Sequence, residues 1–239
     1  MPILEGKGVT KYFGGLAAVS NVDFDVERGE IVGLIGPNGA GKTTLFNLIS
    51  AALPTQQGTI TFKDIKITGM KPHQICKLGI ARTFQSVKVF PNASVMDNVM
   101  IGALFGTSSK ISSDDTLKEA GEILDFVGLS DIRDIPAKDL TLVNQKRVEV
   151  ARALATDPEL LLLDELMAGL NPTEISDTME LVSRIREKGI TILMIEHVMK
   201  AIMSICDRII VLHHGETIAE GTPEEVSTSK QVIEVYLGE

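Results

Sequence analysis

The 239-residue chain has no tryptophan, only two tyrosines, two cysteines and four histidines, and fewer basic residues (23) than acidic ones (32). Each shortage closes a route. Cys76 and Cys206 lie far apart, without CxxC or metal-ligand spacing, and read as reduced thiols of a cytosolic protein. A formal charge of −9 provides no broad basic field for a nucleic-acid backbone. No apolar run approaches the roughly 20 residues that a spanning helix needs. The opening residues Met1-Pro2-Ile3-Leu4-Glu5 lack the basic-then-apolar pattern of a signal peptide. What remains, at 44% hydrophobic and 23% charged residues, is the composition of a soluble globular protein with ample core. Any membrane contact is then expected to go through a partner.

One stretch organises the rest. Gly36, Gly41, Lys42 and Thr43 fit the phosphate-loop pattern G-x-x-x-x-G-K-[ST], with Pro37, Asn38, Gly39 and Ala40 inside it. The apolar run Ile31–Ile35 before it reads as a buried strand. Thr44 to Ile49 after it reads as a helix with Leu45, Leu48 and Ile49 on one face. Glycines let backbone N–H groups turn inward around phosphate oxygens, and the helix N-terminus adds partial positive charge there. Lys42 is expected to reach the outer phosphates and the Thr43 hydroxyl to ligate Mg²⁺.

Two further segments repeat the theme of a buried strand ending in polar groups. Leu160-Leu161-Leu162-Leu163 reads as a fully buried parallel strand with Asp164 and Glu165 at its carboxyl end, the edge where ligands bind in open α/β sheets. Asp164 is expected to hold Mg²⁺ and Glu165 to polarise the attacking water. Ile190–Ile195 is the second such strand and ends in Glu196-His197, where His197 can donate to a γ-phosphate oxygen. Ile80–Gln85 reads as a strand ending in an amide. Gln85 orients a water or ligates Mg²⁺, or else is a solvated loop residue. Tyr12 and Phe13, beside Gly14-Gly15, either stack on a base or cover a sheet edge.

The remainder supplies the architecture. Ile3–Val26 alternates like antiparallel strands broken at Gly14-Gly15. Gly58–Phe62 and Ile65–Ile67 form a hairpin turning at Lys63-Asp64. Residues 86 to 155 turn helical. Ser94 caps a helix carrying Val95, Met96, Val99 and Met100. Gly106–Ser113 reads as a loop, a second helix from Asp114 buries Leu117, Ala120, Leu124 and Val127, and a third runs from Asn144 to Leu154. Asn171 caps a helix with Ile175, Met179 and Val182 inward. His213-His214-Gly215 reads as a hairpin turn, and His73 has no context. The expected fold is α/β: a mostly parallel core over 1–85 and 156–239 with an N-terminal antiparallel portion, and a helical subdomain at 86–155.

The order phosphate loop, Gln85, helical insert, Asp164-Glu165, His197 resembles the ATP-binding subunits of ABC transporters over nearly the whole chain. Met167-Ala168-Gly169-Leu170-Asn171 is similar to that family's loop after the catalytic Glu, and Phe13 to its adenine-stacking aromatic. Several stretches resemble the branched-chain amino acid importers: Phe13–Val19, Arg82-Thr83-Phe84-Gln85, Ala219–Pro223 and Val232–Gly238. The resemblance implies ATP with Mg²⁺, a head-to-tail pairing with a second ATP-binding subunit, integral membrane permease subunits and, indirectly, a solute-binding protein. It places the chain on the cytoplasmic face of the membrane. Two departures stand out. Leu140-Thr141-Leu142-Val143-Asn144 occupies the place of the family's Leu-Ser-Gly-Gly-Gln, leaving Thr141 and Asn144 as its polar contacts to nucleotide. Leu166 stands where Pro commonly follows Asp-Glu. A soluble ATPase of this type acting on DNA or ribosomes is the first alternative, opposed by the acidic balance and the lack of a coiled coil or basic tail. A low-turnover regulatory partner is the second, favoured by the altered signature.

Overall fold

The computed structural model describes residues 1–106 and 113–237. The chain opens with β1 (Leu4–Phe13) and β2 (Leu16–Val26), an antiparallel hairpin turning at Gly14-Gly15, followed by β3 (Ile31–Ile35) and α1 (Lys42–Ile49). Next come β4 (Gln57–Phe62) and β5 (Ile65–Lys66), joined by Lys63 and Asp64 at φ 50° and 62°. Two consecutive left-handed residues match the twist of a two-residue hairpin. They are followed by α2 (Pro72–Leu78), β6 (Ile80–Arg82) and three mutually packed helices, α3 (Val95–Phe105), α4 (Ser113–Val127) and α5 (Leu142–Leu154). The chain then alternates through β7 (Leu160–Asp164), α6 (Pro172–Glu187), β8 (Thr191–Ile195), α7 (Met199–Ile205) and β9 (Arg208–His213). It ends in β10 (Glu216–Gly221), α8 (Pro223–Thr228) and α9 (Lys230–Leu237).

Two sheets result. The smaller, ordered β2-β1-β4-β5, is antiparallel. The larger is ordered β10-β9-β3-β8-β7-β6, parallel except for the edge strand β10. Both faces of the larger sheet are covered, which is why β3, β7 and β8 are continuous apolar runs. The twofold alternation of a strand then divides each run between two cores. Ile31, Ile35, Leu161, Leu163, Ile192 and Met194 join the core shared with the helices, including Val99, Leu124, Val148, Val182 and Ile202. Val32, Leu34, Leu160, Leu162, Leu193 and Ile195 join Phe46 of α1 and Phe24 and Phe62 of the smaller sheet. The α/β expectation, with its antiparallel portion and helices, is borne out.

Three local expectations change. The strand at Ile80 ends at Arg82; Thr83 still donates its N–H to Leu162 O at 2.9 Å, but Phe84 and Gln85 have left the sheet. Leu117 is 49% exposed, because Thr116 takes the inward position and leads the 3.6-residue stripe to Ala120, Leu124 and Val127. The third helix starts earlier, at Leu142, with Thr141 accepting the Asn144 N–H at 3.4 Å as its cap. The loop expected at Gly106–Ser113 falls mostly outside the described residues.

Candidate nucleotide-binding site

Because β3, β6, β7 and β8 are parallel, the segments after them converge at one edge of the larger sheet. From β3 comes the glycine loop. Gly36 has φ 147° and a Cβ there would sit 2.0 Å from Leu212 O; Gly41 has φ 103° and a Cβ would sit 2.3 Å from Ala18 O. Side chains are excluded at both by backbone. The His214-Gly215 turn between β9 and β10, left-handed at both residues, backs the loop: Gly215 donates its N–H to Ala40 O at 3.0 Å. The hairpin turn expected over His213-His214-Gly215 is thus made by His214 and Gly215, with His213 ending β9. His73 is exposed on α2.

Lys42 opens α1 and folds back over the loop, donating to Gly36 O at 2.6 Å and Pro37 O at 3.0 Å. Burial holds its ammonium below the usual lysine range, while Glu165 and Asp164 pull the other way. A cleft of about 320 Å³ is lined by Phe13, Asn38 to Thr44, Gln85, Glu165 and His197. Phe13 is 49% exposed at this cleft, whereas Tyr12 is not among its lining residues.

From β7 come the two carboxylates, and their surroundings differ. Asp164 is 1% exposed; its Oδ2 accepts from Arg82 Nη2 at 2.8 Å, and its N–H donates to Thr83 Oγ1 at 3.1 Å. Burial raises its pKa and Arg82 opposes the rise. Its Oδ1 is buried without a hydrogen-bond partner among the described residues. An orphaned carboxylate oxygen behind a phosphate loop fits a divalent cation or its bound water. Arg82 also donates to Asn47 Oδ1 (2.7 Å) and Ser50 Oγ (3.0 Å), tying α1 to β7. Glu165 takes φ 52°, unusual for a side chain of this kind and costing on the order of 1–3 kcal/mol. That conformation turns its carboxylate into the cleft between two partners. Gln85 Nε2 donates to Oε2 at 3.0 Å, and His197 Nε2 lies 2.9 Å from Oε1.

The structure therefore brings Gln85, Glu165 and His197 together with the loop residues Asn38 to Thr44. Thr141 and Asn144 are not among the residues lining this cleft. They sit at the start of α5, where Leu142 is 45% exposed and lies against Gly169. Arg82 and Thr83 were not singled out from the sequence for any role at the site. A cation two residues after the start of a short strand, next to a strand that ends in acids, was the available signal.

A glycine loop closed to side chains at Gly36 and Gly41, a buried lysine, an orphaned carboxylate oxygen and a bracketed glutamate define a phosphate-loop nucleotide hydrolase. A family profile described as ABC transporter matches residues 19–168, and one described as branched-chain amino acid ATP-binding cassette transporter matches residues 216–239. The chain is 40% identical to the high-affinity branched-chain amino acid transport ATP-binding protein LivG of Salmonella typhimurium, over 100% of this chain and 98% of that one. Its fold is similar to a solved ATP-binding cassette of an ABC transporter (33% identity, 99% of both chains, TM-score 0.91). It is also similar to a dimeric bacterial ABC transporter cassette (28% identity, 92% of this chain and 98% of that one, TM-score 0.83). The chain belongs to the ABC transporter ATP-binding family, whose characteristic activity is ATP hydrolysis.

Proposed function

We propose that this chain hydrolyses ATP with Mg²⁺ to energise an importer of branched-chain amino acids, from the cytoplasmic face of the membrane. The observation that carries the hydrolytic part is Glu165, held between Gln85 and His197 at the mouth of the phosphate loop. The carboxylate accepts a proton from the attacking water, Gln85 and His197 fix its direction, and Lys42 with the loop amides holds the phosphates. Phe13 stacks on adenine. Thr43, Gln85 and Asp164 would hold Mg²⁺, which supplies charge to offset the phosphates. The branched-chain assignment is supported by the match at residues 216–239 and the whole-length identity to LivG.

A second ATP-binding subunit, placed head-to-tail, would meet Thr141 and Asn144 at its own nucleotide. No helix among the described residues is long and apolar enough to cross a membrane, so the membrane connection falls to permease subunits. An apolar groove of about 430 Å³ between α2, β6, α3 and α5, with Phe84 and Phe105 exposed at it, is suited to receive a cytoplasmic segment of such a partner. Helices 86–155 would pass the movement on. The acidic balance speaks against a nucleic-acid partner.

The test is affinity purification from detergent-solubilised membranes, with uptake of labelled leucine, isoleucine and valine by cells lacking the chain. Copurifying multi-span proteins and lost uptake are expected. Undiminished uptake of all three would overturn the substrate class, and absence of any multi-span partner would overturn the transport role.

A further inference from the structure

The loop that follows Glu165 is held by a buried cation. Lys146, on the second turn of α5 and 5% exposed, donates from Nζ to three carbonyl oxygens: Glu165 (2.9 Å), Leu166 (2.9 Å) and Ala168 (2.8 Å). All three ammonium donors are thereby used. Burial lowers the lysine's pKa, against the pull of Glu196, Glu149 and Glu165. Glu196, 2% exposed at the end of β8, completes the grip by accepting the Met167 N–H at 2.7 Å.

The geometry bears on Glu165 directly. The direction of a side chain is set by the two peptide planes that flank its Cα. The preceding plane is pinned because the Glu165 N–H donates to Ile195 O at 2.9 Å. The following plane carries the Glu165 carbonyl, which Lys146 holds. With φ at 52°, a relaxed second plane would let the residue return to an ordinary backbone conformation and swing its carboxylate away from Gln85 and His197. The cap of the same helix, Thr141, lies about one turn before the lysine, so Lys146 also fixes the α5 start relative to the Glu165 loop.

We propose that Lys146 is a positioning residue for ATP hydrolysis, aiming the Glu165 carboxylate by clamping the carbonyls behind it. This rests on the reading of Glu165 as the base. Lys146 does not line the nucleotide cleft, so its loss acts on the turnover step and leaves nucleotide affinity in place.

The experiment compares Lys146→Met, Lys146→Arg, and Lys146→Met with Glu196→Gln, which also removes the opposing charge and protects the fold. Steady-state ATPase gives kcat, and a non-hydrolysable ATP analogue gives Kd. Lys146→Met and the double variant are expected to lose at least about 10-fold in kcat, as sub-ångström to ångström misplacement does. Their Kd should stay within about twofold, and Lys146→Arg, which keeps a cation, should retain more turnover than Lys146→Met. Wild-type kcat in the folded double variant would overturn the proposal. So would a Kd that weakens in step with kcat, or equal turnover in the Met and Arg variants. Glu165→Gln serves as the control: if it still hydrolyses ATP, the assignment of the base fails, independently of the lysine.

Discussion

Glu165 Oε1 and His197 Nε2 meet 2.9 Å apart across the carboxyl ends of β7 and β8, although 31 positions of chain separate them. With Gln85 on the other oxygen, the carboxylate is bracketed from two strands at once. A group held this way points one way before substrate arrives, which is where a positioned base gains its advantage.

Replacing Glu165 with glutamine keeps the shape and removes the proton acceptor. Hydrolysis is expected to fall by about 10²–10⁴-fold, while ATP continues to bind. Size-exclusion chromatography with Mg²⁺ and ATP should show more of the associated species than wild type does. Unaltered turnover would remove Glu165 from the role of base.

Lys42→Ala takes away the ammonium that covers Gly36 and Pro37. Turnover should drop by about 10²–10³-fold, the scale of losing one preorganised charge donor. The variant should remain folded with a lowered melting temperature, since a buried side chain and both of its hydrogen bonds are removed. A folded variant that hydrolyses ATP at the wild-type rate would sink the site assignment.

Arg82→Met leaves Asp164 buried without its cation. Breaking such a pair costs about 3–5 kcal/mol, measurable by urea denaturation. The folded Asp164 pKa already lies above 3.8 and rises further without Arg82. The folded state then holds a proton that the unfolded state releases, so stability is lost as pH increases from 3.8. The variant's deficit should therefore be larger at pH 8 than at pH 5, and adding Asp164→Asn should recover much of it. A deficit that is the same at both pH values would contradict the account.

Glu196 carries its own pH signature. Burial pushes its pKa from 4.5 up to about 7, against the Met167 N–H and Lys146. Between those values the folded state binds the extra proton, so stability falls as pH rises through that window, by up to about 3 kcal/mol. Glu196→Gln should reduce the loss of unfolding free energy between pH 5 and pH 8 by that order. Parallel pH profiles for the two proteins would rule out this contribution.

The chain's local order fixed a great deal. Gly36 and Gly41, followed by Lys42 and Thr43, mark a phosphate loop by pattern alone, and glycine is required at the first two by their backbone angles and the close approaches to Leu212 and Ala18. Continuous apolar runs at Ile31, Leu160 and Thr191 determine buried parallel strands, and the polar residues just beyond them determine which edge does chemistry. Lys63-Asp64 and His214-Gly215 declare their turns, since each forms the short polar break between two strand-like runs. What local pattern does not carry is which distant groups meet. Arg82 finds Asp164 only because β6 pairs with β7, in a register that sets Arg82 beside Leu162. Lys146 and Glu149 sit on the inward stripe of α5, where charge is costly, and the sequence shows that anomaly without its cure. The cure is three carbonyls behind Glu165 for the lysine and the Lys88 N–H for the glutamate. Long-range pairing is decided by packing of whole elements, so the partners of buried charges are visible only once the chain has folded.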